Sequence, residues 1–467
     1  MKIIIFYKFF RYTTKILFIM EGYVLKKTTQ KGISYLLALA LTMFMSACST
    51  KDDKNITNDK NTTNDKNTTN EESLLVKSTP IDDINASTML VYINALNPNA
   101  TKAYGYKAVK ITYKTVGQDD SSVVASGLLT IPTGMRTPSM ICDNHGTIFR
   151  DSEAPTNVEI SSGTPDLKLA IVMTSYAGFV GIYPDYIGFG DSNGTVHPYI
   201  LKKAAARSSV DMIKASMEYM TKNNISFDKK LYISGYSEGG YNAMATAQSI
   251  EEGSLSDVTL MGVAPMAGPY NVKDLADIEL STTHTMANPA FLADLAYSYA
   301  YYYDDVNLSE ITIPTFDKFQ RAFDGINGSV QIHTILGLAD IKNGDYGLMR
   351  HTAAELFKSK FITDYQNNAN NLMVQKFEEN NLDDWTPKSK MNFIQCLEDD
   401  IIPFSESNNT YNKFKSAGAN VSIVKIKTDQ LRQQRDDAHP FVHSNCGEEA
   451  YTVAVQWFSA IRSGTIK

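Results

Sequence analysis

Five residues, Gly235-Tyr236-Ser237-Glu238-Gly239, stand between an apolar, β-rich run, Lys230-Leu231-Tyr232-Ile233-Ser234, and a helix-like stretch from Tyr241 to Ile250. A G-x-S-x-G pattern in a strand–turn–helix setting leaves few folds open to the chain around it. The turn is so tight that Ser237 takes a strained backbone conformation. Side chains at positions 235 and 239 would collide with the neighbouring strand and helix, and Gly240 adds a further small residue. Such a turn lifts the Ser237 hydroxyl above a sheet. It also aims a helix N-terminus at any negative charge developing beside that hydroxyl.

At 467 residues the chain is long enough for one large domain or two ordinary ones. From Tyr106 onward, apolar patterns alternate between strand and helix periods, which predicts an α/β domain over 76–467. Residues 108–116 and 123–131 alternate around Gly117-Gln118-Asp119-Asp120 and predict an antiparallel hairpin. Short buried strands are expected at 139–142, 179–183 and 230–234, then at 258–264, 391–395 and 421–427. Helices are expected over 201–222 and 448–461. About 270–390 departs from the alternation and reads as a helical cap inserted after the sixth strand, since long excursions in a compact domain are usually functional. Its tyrosines (Tyr297, Tyr299, Tyr301, Tyr302, Tyr303) either pack that cap onto the body or line an acyl pocket.

The N-terminus carries an address. Lys26, Lys27 and Lys31 precede the apolar heart Leu36-Leu37-Ala38-Leu39-Ala40-Leu41, which ends at Met45-Ser46-Ala47-Cys48. A charged flank, a short apolar core and small residues before a break describe an export signal over 1–47, with a usable start at Met20. The cysteine directly after the break resembles a bacterial lipoprotein signal, with Cys48 the lipidated residue. Residues 48–75 would be a tether: Asn-Asp-Lys-Asn-Thr-Thr repeats there without apolar residues able to offset ordering entropy. The layout predicts a bacterial cell-envelope protein, lipid-anchored at the outer membrane or cell surface. The net charge of −7, with no basic stripe interleaved by aromatics, argues against a nucleic-acid partner.

A serine hydroxyl needs a base within hydrogen-bond reach and a carboxylate to orient that base. The elbow and the β–α alternation resemble the α/β-hydrolase fold: a mostly parallel twisted sheet with helices on both faces, and catalytic residues in the order Ser, acid, His. Only His439 and His443 follow the later acidic candidates. His443, read as a loop residue before the closing helix, is preferred over His439, which precedes Pro440. The acid is sought in Gln395-Cys396-Leu397-Glu398-Asp399-Asp400-Ile401-Ile402-Pro403, at the C-terminal end of a buried strand. Its likeness to a D-x-x-V-P segment selects Asp399 over Asp400. The oxyanion donors are expected to be the backbone N–H of Glu238 and one from Gly146 or Thr147, where His145 is a structural loop residue.

Four segments together, Asn144-His145-Gly146-Thr147, Tyr183-Pro184-Asp185-Tyr186-Ile187-Gly188-Phe189-Gly190, Gly235 to Gly240, and His443-x-x-Cys446 before Trp457-Phe458, are similar to the secretory lipase family of α/β-hydrolases. The resemblance runs from about Tyr106 to the end. It implies cleavage of carboxylic esters, lipids included, by Ser237, Asp399 and His443, with no metal and no organic cofactor. Gln395-Cys396 stands where the family more often has His-Gly. In a folded hydrolase the loops carrying Cys396 and Cys446 meet, so a disulfide between them is expected in an exported protein; three reduced cysteines are the alternative. Cys142, in a buried strand, would be an inert small hydrophobe. Other readings on the same fold are a serine peptidase, a polysaccharide acyl- or feruloyl-esterase, and an anchored binding protein with an inert hydrolase body.

Overall fold

The computed structural model describes residues 72–96, 98–157, 169–281, 284, 288–338, 352–427 and 442–466. The expected export signal, Cys48, nearly all of the tether and His439 lie outside the described residues. Contacts divide the chain into two units, one of residues 1–72 with 91–101 and one of residues 73–90 with 102–467. Of the first unit, the described part comprises Glu72 and residues 91–96 and 98–101, which hold the second half of a helix, Ala86–Leu96. The sheet and the site belong to the second unit.

Among the described residues nine strands form one sheet in the order β1-β2-β3-β5-β4-β6-β7-β8-β9. These are β1 (Leu75–Ile84), β2 (Gly105–Val116), β3 (Ser122–Thr133), β4 (Met140–Asn144), β5 (Val180–Pro184), β6 (Lys230–Tyr236), β7 (Thr259–Met266), β8 (Met391–Cys396) and β9 (Val421–Ile426). Pairing is antiparallel from β1 through β3 to β5 and parallel from β5 to β9. The parallel centre is covered on both faces. Every residue of β4, β5 and β8 is accordingly buried, as is every residue of β6 after Lys230.

The expected hairpin is β2–β3, and the other expected strands form within a few residues of their predicted ends. Strand β1 is not anticipated. It is an edge strand, mostly exposed, and it contains Pro80, so it has neither the alternation of a half-buried strand nor the apolar run of a central one. Counted with β1, the helical insertion follows the seventh strand; in the body as read from the sequence it follows the sixth.

That insertion joins β7 to β8 through helices Val272–Glu279, Pro289–Tyr302, Leu308–Ile311, Phe316–Ala322, Ser329–Leu336, Ala353–Leu356, Ser359–Asn367 and Leu372–Glu379. Its tyrosines resolve the question left by the sequence. Tyr299 donates its hydroxyl to the Ile200 carbonyl at 3.1 Å and Tyr302 donates to the Val196 carbonyl. Tyr297 stacks on Phe319 and Phe323. They fasten the insertion onto the body and onto itself, and the walls of the pocket beside Ser237 are built by other residues.

Candidate active site

The elbow is built as its glycines require. Strand β6 ends at Tyr236, the helix Glu238–Ser249 starts immediately, and Ser237 between them sits at φ 60°, ψ −124°. Few non-glycine residues adopt such angles, and the conformation costs about 1–3 kcal/mol. The surroundings hold it: the Ser237 N–H donates to the Met266 carbonyl at 2.9 Å. A Cβ at Gly235 would strike the Gly239 carbonyl, and one at Gly239 would strike the Asn144 carbonyl. The crowding therefore comes from the helix and from the end of β4, the two neighbours that the tight turn presses against.

Ser237 Oγ lies 2.8 Å from His443 Nε2, and His443 Nδ1 lies 2.9 and 2.8 Å from the two oxygens of Asp399. With Nδ1–H donated to the carboxylate, Nε2 is left as the acceptor facing the serine hydroxyl. The Asp399 side chain is fully buried and that of His443 nearly so. The Asp399 Oδ1 atom accepts the backbone N–H groups of Ile401 (3.0 Å) and Ile402 (2.9 Å), so the carboxylate is fixed by its own loop before it meets the imidazole. Gln395 braces the same loop, donating to Asp399 Oδ2 at 3.3 Å and to the Ile402 carbonyl at 2.6 Å. Cys396 is disulfide-bonded to Cys446, and Cys142 is free and buried. The dipeptide Gln395-Cys396 thus has two jobs: the amide stiffens the acid loop, and the sulfur ties that loop to the closing helix.

One expectation is corrected. His443 is not in a loop ahead of the closing helix; the helix runs over Val442–Arg462, and His443 lies in its first turn. The reason lies outside the helix. Asp400 Oδ1 accepts the His443 N–H at 2.9 Å, satisfying one of the N–H groups that a helix start leaves without an intrahelical partner. The Tyr236 hydroxyl donates to the His443 carbonyl at 2.7 Å, so the residue before the serine also grips the backbone of the histidine.

The loop after β4 lies against the elbow. A Cβ added at Gly146 would come within 3.3 Å of the Tyr236 carbonyl oxygen and 3.7 Å of Ser237 Cβ. Thr147 is held through its hydroxyl, 3.0 Å from that of Tyr199. His145 is 6 % exposed, its Nδ1 lies 2.8 Å from the Gly146 carbonyl, and its ring stacks on Tyr186. It supports the loop and points away from solvent.

In front of Ser237 and Glu238 opens a pocket. Its walls come chiefly from the insertion, including Val272, Leu275, Phe291, Leu292 and Leu295, with Ile401 and Ile402 from the acid loop. Among the described residues no group of three or more His, Cys, Asp or Glu could hold a metal ion.

The secretory lipase family model matches residues 164–460, well over half of the sequence. The chain belongs to the secretory lipase family. It is therefore a carboxylic ester hydrolase of the lipase/esterase type. No curated protein matches it. Among solved structures, one from Legionella pneumophila superposes with a TM-score of 0.70 at 22% identity, covering 83% of this chain and 98% of its own. The rice cell wall degrading esterase LipA from Xanthomonas oryzae gives 0.68 at 22% identity, covering 81% and 96%. Candida antarctica lipase A gives 0.52 at 14% identity, covering 76% and 77%. At these identities the likeness establishes the shared α/β-hydrolase fold.

Proposed function

We propose that this secretory lipase family member is an exported enzyme that cleaves carboxylic esters through an acyl-enzyme on Ser237. His443 Nε2 takes the Ser237 proton as Oγ attacks the ester carbonyl. Asp399 keeps the imidazole in the required tautomer and stabilises its cation. The developing oxyanion is met by the Glu238 N–H, at the N-terminus of the elbow helix, and by an N–H of Gly146 or Thr147. His443 then returns the proton to the leaving alkoxide, and water, activated by the same base, releases the acid. No metal or organic cofactor takes part. The observation that carries this reading is the continuous Ser237–His443–Asp399 hydrogen-bond chain at 2.8 to 2.9 Å.

The apolar walls of the pocket favour an acyl chain or another apolar group over a charged one. Export follows from the charged, apolar and small-residue order of positions 1–47, and anchoring from Cys48 as the lipidated residue. Residues 48–75 then act as a tether, with 76–467 as the hydrolase domain and about 270–390 as its cap. Among the described residues no helix is long and apolar enough to cross a membrane.

The test is a panel of p-nitrophenyl esters from acetate to palmitate, set beside feruloyl esters and aminoacyl nitroanilides. Turnover of the aliphatic esters, lost in Ser237→Ala, is expected. Preference for the nitroanilides would make the protein a peptidase, and preference for the feruloyl esters a polysaccharide-directed esterase. Radiolabelled palmitate incorporated in bacterial cells and lost in Cys48→Ala checks the anchor.

A further inference from the structure

Beneath the elbow lies a histidine that the triad chemistry leaves unused. His197 comes from the loop between β5 and the helix Lys202–Lys222, 10 % exposed in its side chain. Its Nδ1 is 2.8 Å from the Ile187 carbonyl oxygen, and its Nε2 is 2.8 Å from Glu238 Oε1. Both partners are acceptors. The ring therefore donates Nδ1–H to the carbonyl and meets the Glu238 carboxyl through one shared proton, a buried ion pair when that proton sits on Nε2.

Glu238 is 2 % exposed and is also approached by the Asn242 amide at 3.5 Å. On the face of the His197 ring lies Tyr186, with centroids 5.9 Å apart and planes at 15°. Tyr186 in turn stacks on His145 at 4.0 Å and donates its hydroxyl to the His145 carbonyl at 3.0 Å. A single imidazole thus braces both backbone stretches proposed to meet the oxyanion: Glu238 directly, and His145–Thr147 through Tyr186. From the insertion, Asp294 on helix Pro289–Tyr302 faces the pair. Burial pushes the Asp294 carboxyl up to about 7, with His197 opposing and Glu238 adding to the rise.

We propose that His197 is a positioning residue for ester cleavage: by pinning the Glu238 side chain and, through Tyr186, the loop at Gly146, it aims the two N–H donors of the oxyanion site. The inference rests on Ser237 being the nucleophile. An ion pair this buried contributes little net stability, because desolvation of both groups offsets their attraction. Its use is geometric, since an oxyanion donor is valuable only when fixed where the oxygen will be.

The test compares His197→Gln, Glu238→Gln and the double variant in the full chain. It reads kcat and KM on p-nitrophenyl butyrate, and affinity for an alkyl trifluoromethyl ketone, which carries an oxyanion once the serine has added. Each single variant is expected to lower kcat by roughly tenfold or more, with KM within about twofold, and to weaken the ketone by a matching factor. The double variant should fall no further than the worse single, because the two side chains act as one unit. Glu238→Gln is isosteric and carries the test alone if the His197 variant does not fold. Unchanged ketone affinity beside a lowered kcat, losses that multiply in the double variant, or wild-type kcat throughout would each overturn the proposal. Wild-type protein that neither the ketone nor a fluorophosphonate modifies would instead overturn the nucleophile reading itself.

Discussion

The His443 backbone N–H donates to Asp400 Oδ1 at 2.9 Å, while its ring Nδ1 faces the neighbouring carboxylate, Asp399, at 2.8 Å. Two adjacent aspartates thus divide the placement of one histidine. Asp399 holds the ring and Asp400 holds the start of the helix that carries it. The division separates their chemical consequences.

Asp399→Asn should leave the fold in place and reduce kcat by about 10⁴-fold, because an amide at that position favours the wrong imidazole tautomer. Asp400→Asn removes only a helix-terminal acceptor charge. Because an asparagine oxygen still accepts the His443 N–H and only the attraction of the charge to the helix start is lost, it should cost less than about 1 kcal/mol of stability and reduce kcat by less than about tenfold. Steady-state kinetics beside denaturant unfolding of the two variants checks both expectations; equal losses of kcat would remove the distinction.

The strained backbone at Ser237 predicts a trade between stability and turnover. At φ 60°, ψ −124° a glycine is relieved of the steric penalty that serine bears. Ser237→Gly should abolish ester cleavage and raise stability by about 1 kcal/mol, whereas Ser237→Ala abolishes cleavage and keeps most of the strain. Thermal midpoints of the two inactive variants make the comparison, with the glycine variant expected to melt higher.

The Cys396–Cys446 bridge spans 50 residues of sequence. Closing a loop of that length removes chain entropy worth about 4 kcal/mol from the unfolded state. Cys396→Ala/Cys446→Ala should therefore lower the unfolding free energy by about 2–4 kcal/mol. Because the bridge joins the acid loop to the helix of His443, kcat should also fall at temperatures where the variant remains folded. Circular dichroism and p-nitrophenyl butyrate turnover on the same sample read the two effects.

Glu406 predicts a pH dependence of stability. It is buried on the helix Phe404–Ser416, and burial pushes its carboxyl up to about 8; the Asn271 N–H opposes this, and Asp274 and Asp383 add to it. A carboxyl raised on folding is stabilised in its protonated form. Its contribution is complete below the unfolded value and is lost as the pH rises towards and through about 8. Glu406→Gln should lose less stability than wild type between pH 6 and pH 9, as read by urea unfolding at both pH values. A parallel decline in the two proteins would contradict this assignment.

What the sequence reveals depends on how local each cause is. The elbow is legible because its strand, glycines, serine and helix are contiguous. Chain order narrows the base to His439 or His443 and strand position narrows the acid to Asp399 or Asp400, because a fold imposes both even on distant residues; the choice of Asp399 comes from likeness to a D-x-x-V-P segment. The start of the closing helix at Val442 escapes because its acceptor, Asp400, lies more than forty residues upstream. Strand β1 escapes because an exposed edge needs no apolar pattern. His197 escapes for the same reason as the helix start: nothing near it in sequence marks a partnership with Glu238, 41 residues on. A signal existed, since a Glu directly after the elbow serine, at so tight a strand–helix turn, calls for a partner wherever it is buried. The insertion tyrosines remained ambiguous because packing and pocket lining use the same residue type.

The central claim is that Ser237 is an activated nucleophile, made so by His443 and Asp399. Intact-mass spectrometry after treatment with a fluorophosphonate tests it most directly. One adduct on the wild type, mapped to Ser237, with none on Ser237→Ala and strongly slowed labelling in His443→Ala, is the predicted result. Folded wild-type protein that stays unmodified, or that carries the adduct on another residue, would contradict it.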